Sequence, residues 1–329
     1  MILNQWYVIL ESKELKKHKP LRVKRFNETL ALWRDENGSA CCIADKCCHR
    51  GVSLSCGRIA DGKLECPFHG FAYDKSGKVQ LIPANGKGNP APQNMKVTTY
   101  KLHEAFGLIW MWWGDADKIS SEPFFFKELE NFSYLSFKDN WNVHYSRAIE
   151  NQLDVVHVPF VHRTTIGRGN KTLVNGPVTI LENDMITFYV NNIEDDGRTV
   201  PLKPDEIIGY ENFFHLQFHF PNVWQNFISD KIRAFAAFVP VDEENAVIYI
   251  RYYQKLITIP ILKEIINFIG IISSIIILRQ DKRVVITHLP KKSAFRSDEK
   301  LIIGDKPIIE YRKRRQELIE ESKAHDNKN

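Results

Sequence analysis

The segment Glu150–His162, ENQLDVVHVPFVH, concentrates residues that can do chemistry: two histidines, an aspartate and an asparagine. His157 and His162 are five apart. On one regular helix that spacing turns about 140° away from a shared face. Pro159 disfavours helical geometry at Val158 and removes a backbone donor. The segment therefore predicts a helix ending near His157, after which the chain folds back and brings His162 beside it. Two imidazoles aimed at one point, joined by a carboxylate from elsewhere, make the facial triad of a non-haem iron(II) centre. Asp154, three before His157, sits where it can orient a ligand or relay charge.

A second constellation lies upstream. Cys47-Cys48-His49-Arg50-Gly51 and Cys66-Pro67-Phe68-His69-Gly70 read as Cys-x-His, 16 residues, then Cys-x-x-His. Two thiolates and two imidazoles can also hold zinc. Zinc fingers usually put both cysteines in one half and both histidines in the other. Here each half has one of each, as a Rieske [2Fe–2S] centre requires. Cys41 and Cys42 read as small strand hydrophobes. Cys48 and Cys56, beside the cluster motifs, are assigned packing roles.

The elements that must position these groups fall into two parts. Residues 1–115 read as all-β. Short runs such as Leu30–Trp33 and Val79–Ile82 are separated by turn dipeptides at Asn37-Gly38 and Asp61-Gly62 and by Asp74–Gly77. GLIWMWWG, Gly107–Gly114, is the closing strand, and a polar link runs over Asp115–Glu122. Residues 116–329 are mixed. A helix over Asn140–His157 is followed by strands at Val178–Leu181, Ile186–Val190, Phe213–Phe220, Ala234–Val239 and Ala246–Tyr253, with a turn at Asp242–Asn245. An apolar helix starts near Pro260 and runs past Leu278. A charged helix spans Lys306–Ser322, and a frayed tail, Lys323–Asn329, follows. The fold class is α+β.

The apolar stretch Ile265–Leu278 is shorter than the roughly 20 residues a bilayer span needs, and charges bracket it closely. It reads as a buried core helix, without membrane contact. The Arg312–Arg315 run reads as an exposed helix face.

Composition narrows the class. Apolar content of 43% and charged content of 26% mark a globular chain with room for two domains. The net charge of +5 is mild and no concentrated basic face stands out, so nucleic acid is not an expected partner. The N-terminus shows no export pattern, which points to a cytoplasmic protein. All six cysteines lie between Cys41 and Cys66, and a reducing compartment favours metal ligation over disulfides.

With both constellations in view, the chain resembles the catalytic α subunit of Rieske non-haem iron oxygenases over nearly its whole length. The resemblance rests on CCHRGVSLSCG, CPFHGFAYDKSGKVQLIPA, IENQLDVVHVPFVHRTTIGRGN and DKPIIEYRKRRQ. The nearest group is that of vanillate O-demethylase and pheophorbide a oxygenase. Cys48 departs from the family's usual proline, at a position that is not a ligand.

The resemblance implies an N-terminal all-β Rieske domain and a helix-grip-like catalytic domain of antiparallel sheet plus helices. It implies a [2Fe–2S] cluster on Cys47, His49, Cys66 and His69. It also implies a mononuclear Fe(II) on His157, His162 and a late-helix carboxylate. Asp281 is the choice for that carboxylate, with Asp230 and Asp242 as competitors. The family's bridging aspartate maps onto Asp154, between a Rieske histidine of one subunit and an iron-binding histidine of the next in a head-to-tail homotrimer. Electrons come from a separate reductase or ferredoxin, which Lys46, Arg50 and Arg58 could receive. The expected reaction uses O2 to hydroxylate or demethylate a small organic substrate, aromatic or polycyclic. Ring cis-dihydroxylation is the alternative, and an electron carrier without oxygenase chemistry is the rival of another class. For the pocket, the His215/Gln217/His219 strand face and Trp224, Gln225 and Asn226 are candidates.

Overall fold

The computed structural model describes residues 1–119 and 121–326, with side chains up to residue 323. The chain divides after Pro123 into two units. Ser120, inside the polar link, and 327–329, in the expected frayed tail, lie outside the described residues.

In the first unit, turn chemistry sets the strand ends. Asp61 and Gly62 both take positive φ, 48° and 70°. That is the backbone of a two-residue hairpin, and it joins β-strands registered at Ala60 and Lys63. Among the described residues the strands are β1 (Gln5–Glu11), β2 (Leu21–Arg25), β3 (Glu28–Arg34), β4 (Ala40–Ala44), β5 (Arg58–Ala60), β6 (Lys63–Glu65), β7 (Ala72–Tyr73), β8 (Val79–Leu81), β9 (Leu102–Ala105) and β10 (Leu108–Trp113). They form three antiparallel sheets, ordered β1-β10-β9, β2-β3-β4 and β5-β6-β7-β8. One core cluster gathers Trp33, Ile43, Leu54, Leu64 and Tyr73 with Cys47 and Cys66.

The second unit holds β11 (Ser133–Trp141), α1 (Tyr145–Leu153), α2 (Val158–Val161), β12 (Leu173–Glu182), β13 (Met185–Ile193), β14 (Phe214–His219), β15 (Val223–Ser229), β16 (Ile232–Pro240), β17 (Ala246–Gln254), α3 (Pro260–Val285) and α4 (Lys306–Asp326). Its seven strands make one antiparallel sheet, β11-β17-β16-β15-β14-β13-β12. This is the α+β architecture the sequence predicts.

Several elements differ from the expectation. Asn140 and Trp141 belong to β11, where Trp141 registers against Ala246. The helix starts later, capped by His144, whose Nδ1 accepts from the Ser146 N–H. It also ends earlier, at Leu153. Asp154 is extended (φ −87°, ψ 123°), and its Oδ1 accepts from the Val156 N–H at 2.6 Å and the His157 N–H at 3.2 Å. A local side-chain acceptor thus gives the backbone an alternative to the helix. Pro159 starts α2 rather than stopping a helix, at a first-turn position where its missing N–H costs nothing. Strand β15 carries no continuous apolar pattern, because Gln225-Asn226 interrupts it.

Helix α3 is not a buried core helix. It buries one stripe, including Asn267, Gly270, Ile271, Ser274, Leu278 and Asp281. The opposite stripe is exposed. Its close fit on the sheet depends on Gly270, where an added Cβ would lie 2.1 Å from the Tyr252 ring of β17. Lys282 Nζ donates to Asp139 Oδ1 of β11 at 2.9 Å, and Ser133 Oγ donates to Asn267 Oδ1 at 3.2 Å.

The Arg312–Arg315 run also departs from the expected exposed face. Arg312 and Arg315 are buried. Arg312 Nε donates to Glu150 Oε1 at 2.6 Å, and Arg147 Nη1 to Glu150 Oε2 at 2.8 Å. Glu299 faces both arginines, Arg147 at 2.8 Å and Arg312 at 2.7 Å. This buried network ties α1 to α4, which a charge pattern alone reads as solvent-facing.

Candidate metal centres

Two loops in the first unit repeat one hydrogen-bond scheme. The Cys47 N–H donates to Val52 O and the Gly51 N–H to Cys47 O, at 2.8 and 2.9 Å. Likewise the Cys66 N–H donates to Phe71 O and the Gly70 N–H to Cys66 O, at 2.8 and 3.1 Å. Each loop turns on a glycine with positive φ, Gly51 at 74° and Gly70 at 71°. The scheme buries Cys47 and Cys66 and leaves His49 and His69 exposed, with ring centroids 4.8 Å apart. Two buried sulfurs beneath two exposed imidazoles fit a [2Fe–2S] group with one iron on each pair.

Tyr73 supports the buried side. Its hydroxyl lies 3.1 Å from Cys47 Sγ and accepts the Cys48 N–H at 3.1 Å. Burial pushes the Tyr73 hydroxyl well up, so it stays protonated and can donate to sulfur. Burial also raises the Cys66 thiol, and the neighbouring Cys47 adds to the rise. Cys41 and Cys42 are buried in β4, as read. Cys48 and Cys56 are exposed, so neither has the packing role assigned to it. Lys46, Arg50 and Arg58 are exposed around the loops, Arg58 pairing with Glu65 at 2.9 Å.

In the second unit, His157 and His162, which flank α2, come together with Asp281 of α3. His162 Nε2 lies 2.9 Å from Asp281 Oδ1, His157 Nε2 lies 3.4 Å from the same oxygen, and the two Nε2 atoms are 3.3 Å apart. Donors bound at about 2.1 Å and at right angles would sit about 3 Å from one another, so the trio fits one face of an octahedral ion. Asp281 Oδ1 and His157 Nδ1 are buried without a hydrogen-bond partner among the described residues.

Neighbours aim these groups. His162 Nδ1 sits 2.8 Å from Gln280 Oε1, which also accepts from Thr165 Oγ1 at 2.9 Å. That leaves the Nε2 lone pair pointing at the site. Gln152 Nε2 reaches Asp281 Oδ2 at 3.3 Å. Asp154 Oδ2 lies 3.7 Å from His157 Nδ1, an ion-pair rather than a hydrogen-bond distance. Burial opposes charge here, yet Asp154 and Asp281 lift the His157 imidazole to about 9, and the two histidines hold Asp281 down at about 2. A bound cation would displace the extra proton and take its electrostatic place. Asp230 and Asp242, the other carboxylates considered, lie in turns outside this group.

The trio lies in the wall of a cavity of about 420 Å³. One face of the sheet lines it, with Val190 and Asn192 from β13, Phe214 and Leu216 from β14, Trp224 and Asn226 from β15, and Ile248 and Ile250 from β17. Ile277 and Leu278 of α3 complete the wall beside Asp281. His215, Gln217 and His219 alternate onto the other face, where His215 stacks on Phe227 and His219 on Phe124. Gln225 follows them and binds Glu128 and Gln217, both at 2.7 Å. So Trp224 and Asn226 line the cavity and Gln225 does not. Gln280, Gln152 and Asn192 were not identified from sequence. Gln280 had one legible signal, its place next to Asp281.

Residues 141–321 match the vanillate O-demethylase oxygenase C-terminal domain, and residues 5–101 match the Rieske [2Fe-2S] domain. The chain belongs to the vanillate O-demethylase oxygenase family. It is 25% identical over 329 residues to methylxanthine N1-demethylase NdmA of Pseudomonas putida, covering 97% of this chain and 89% of that one. It is 34% identical over 167 residues to chlorophyllide a oxygenase of Chlamydomonas reinhardtii, covering 50% of this chain and 25% of the relative. The Rieske-oxygenase fold recurs in solved structures. NdmA of Pseudomonas putida CBB5 superposes with a TM-score of 0.79 at 23% identity, over 98% of this chain and 92% of that one. Dicamba monooxygenase bound to dicamba superposes at 0.75 and 20% identity, over 100% and 99%. The chain spans between 25% and 48% of the length of several curated relatives, including a pea TIC 55 protein and a Comamonas testosteroni toluene-4-sulfonate monooxygenase subunit.

Proposed function

We propose that this family member is an oxygenase that hydroxylates or demethylates a small organic substrate. The observation that carries the reading is the convergence of His157 Nε2, His162 Nε2 and Asp281 Oδ1, within 3.4 Å, on the wall of an apolar cavity. When bound, a [2Fe–2S] cluster on Cys47, His49, Cys66 and His69 and an Fe(II) on the trio would supply single electrons and dioxygen activation. The rest of the work falls to the chain. Gln280 fixes the tautomer and aim of His162. Asp154 holds His157 on its Nδ1 side and is the residue through which a Rieske histidine of a neighbouring subunit would be linked. That role requires a homotrimer. A separate reductase or ferredoxin is the electron source, and the cytoplasm is the compartment that keeps the cysteines reduced.

The cavity walls point to the substrate class. Trp224 Nε1, Asn226 Oδ1 and Asn192 Oδ1 are buried and have no hydrogen-bond partner among the described residues. A ring-sized molecule with apolar faces and polar groups set against these atoms would satisfy them.

Iron and acid-labile sulfide per subunit, in protein purified without air, test the reading. The expected ratio is about three iron to two sulfide, a cluster plus one iron. Two to two, unchanged after iron(II) is added, would leave an electron carrier. Asp281→Ala should keep the visible Rieske spectrum and lose turnover, while Asp154→Asn should keep both metals and slow electron transfer between them. Labelled dioxygen in the product then separates hydroxylation and demethylation from dihydroxylation.

A further inference from the structure

Helix α3 carries an exposed stripe with no partner among the described residues. Ile261, Ile265, Phe268, Ile272 and Ile276 follow one another at spacings of four, three, four and four, and all are exposed. At 1.5 Å per residue the stripe is about 22 Å long. An apolar surface of that length is unusual on a soluble monomer and marks an interaction site.

The stripe ends in a second feature. Arg163, Arg279 and Arg283 line a groove together with Thr164, Gln280 and Ile276, so Ile276 belongs to both the stripe and the groove. All three arginines are exposed, and no carboxylate lines the groove. Among the described residues none of the three guanidiniums is paired. Most other arginines of this unit are engaged: Arg147, Arg312 and Arg314 bind carboxylates, and Arg233 and Arg251 stack on aromatic rings. An apolar run leading into a cationic groove is complementary to an amphiphile with a hydrocarbon body and an anionic head.

We propose that α3 docks flat on an anionic phospholipid bilayer, with the Ile261–Ile276 stripe in the acyl boundary and Arg163, Arg279 and Arg283 on lipid phosphates. The helix does not span. Its other face holds Asn267 and Asp281 and packs on β11 and β17, so only one side is available to lipid. A second copy on this face would have to bury three unpaired cations, which is costly. Docking sets the inner face of the same helix, which lines the cavity through Ser274, Ile277 and Leu278, about one helix diameter of 10 Å from the lipid. Under the oxygenase reading, that favours a substrate dissolved in the membrane.

Co-sedimentation of the full holoprotein with vesicles tests the docking without reference to turnover, so it fails or stands apart from the oxygenase reading. The probes are phosphatidylcholine vesicles with and without about one-third phosphatidylglycerol. Wild type should bind the anionic vesicles, bind pure phosphatidylcholine at least ten-fold less, and be released by about 0.5 M salt. Arg163→Gln and Arg283→Gln should each weaken binding about five-fold, the equivalent of about 1 kcal/mol per cation. Phe268→Glu and Ile272→Glu should abolish it while the far-ultraviolet circular dichroism and Rieske absorption stay as in wild type. The proposal is overturned if wild type stays in the supernatant with both vesicles, or binds both equally. It is also overturned if Phe268→Glu shrinks an oligomer on size-exclusion chromatography and leaves vesicle binding unchanged, which would make the stripe an interface between copies.

Discussion

His162 is held from behind by Gln280, Nδ1 to Oε1 at 2.8 Å, while its Nε2 faces Asp281 Oδ1 at 2.9 Å. Adjacent residues of α3 thus do different jobs: one supplies a candidate ligand and the other orients the partner ligand. Gln280→Leu removes the acceptor and keeps the size. Iron affinity should fall about 10- to 100-fold with the Rieske absorption intact. Iron per subunit after dialysis against a chelator measures this, and retention equal to wild type would remove Gln280 from the site.

Tyr73 places a hydroxyl 3.1 Å from Cys47 Sγ. A donor to a ligand sulfur stabilises the reduced, more negative cluster, so Tyr73→Phe should lower its potential. A hydrogen bond of about 1.4 kcal/mol corresponds to about 60 mV for one electron. Protein-film voltammetry of the two proteins gives the number, and a potential unmoved or raised in the variant would show that the hydroxyl points elsewhere.

Gly270 marks where α3 touches the Tyr252 ring. Gly270→Ala gains about 1 kcal/mol of helix propensity but forces a clash at 2.1 Å. Overpacking of this kind costs about 1–3 kcal/mol and should displace Asp281 eleven residues along. Thermal unfolding should show a lower midpoint, with part of the loss recovered in Gly270→Ala/Tyr252→Ala. A variant more stable than wild type would mean that the ring swings aside freely.

His144 provides a pH dependence from a residue that belongs to neither candidate centre. It is buried at the start of α1, where its Nδ1 caps the helix. Burial, with Arg315 and Lys292 nearby, depresses its imidazole from 6.5 to about 2. The folded state therefore binds fewer protons than the unfolded state between those values. The stability from the neutral ring is complete above 6.5 and is lost progressively as pH falls below it. From pH 6.5 to 5 the loss is about 2 kcal/mol. His144→Asn keeps a capping side chain without the titration. Urea unfolding at pH 7 and 5 should show a smaller drop for the variant, and equal drops would assign the acid sensitivity to other groups.

Local chemistry made much of this protein legible in its sequence. The Cys-x-His and Cys-x-x-His halves and their glycines are decided within five-residue loops, because turn geometry and ligand spacing are local properties. The β-rich first half, the α+β second half, and the His157/His162 pair with Pro159 between them were readable for the same reason. What lay beyond reach depended on contacts between distant segments. Asp281 is reached through the family resemblance and not from local pattern, because it joins residues more than a hundred positions upstream only once Gly270 and Lys282 seat α3 on β17 and β11. The exposed stripe of α3 and the buried Arg312 reverse what composition suggests. Helix packing, not residue type, decides which face meets solvent, and Glu150 supplies the charge that lets an arginine go inside. The cavity likewise uses the Trp224/Asn226 face of β15 rather than its Gln225 face. Period-two alternation gives both faces with equal clarity, and only the packing of the sheet chooses between them.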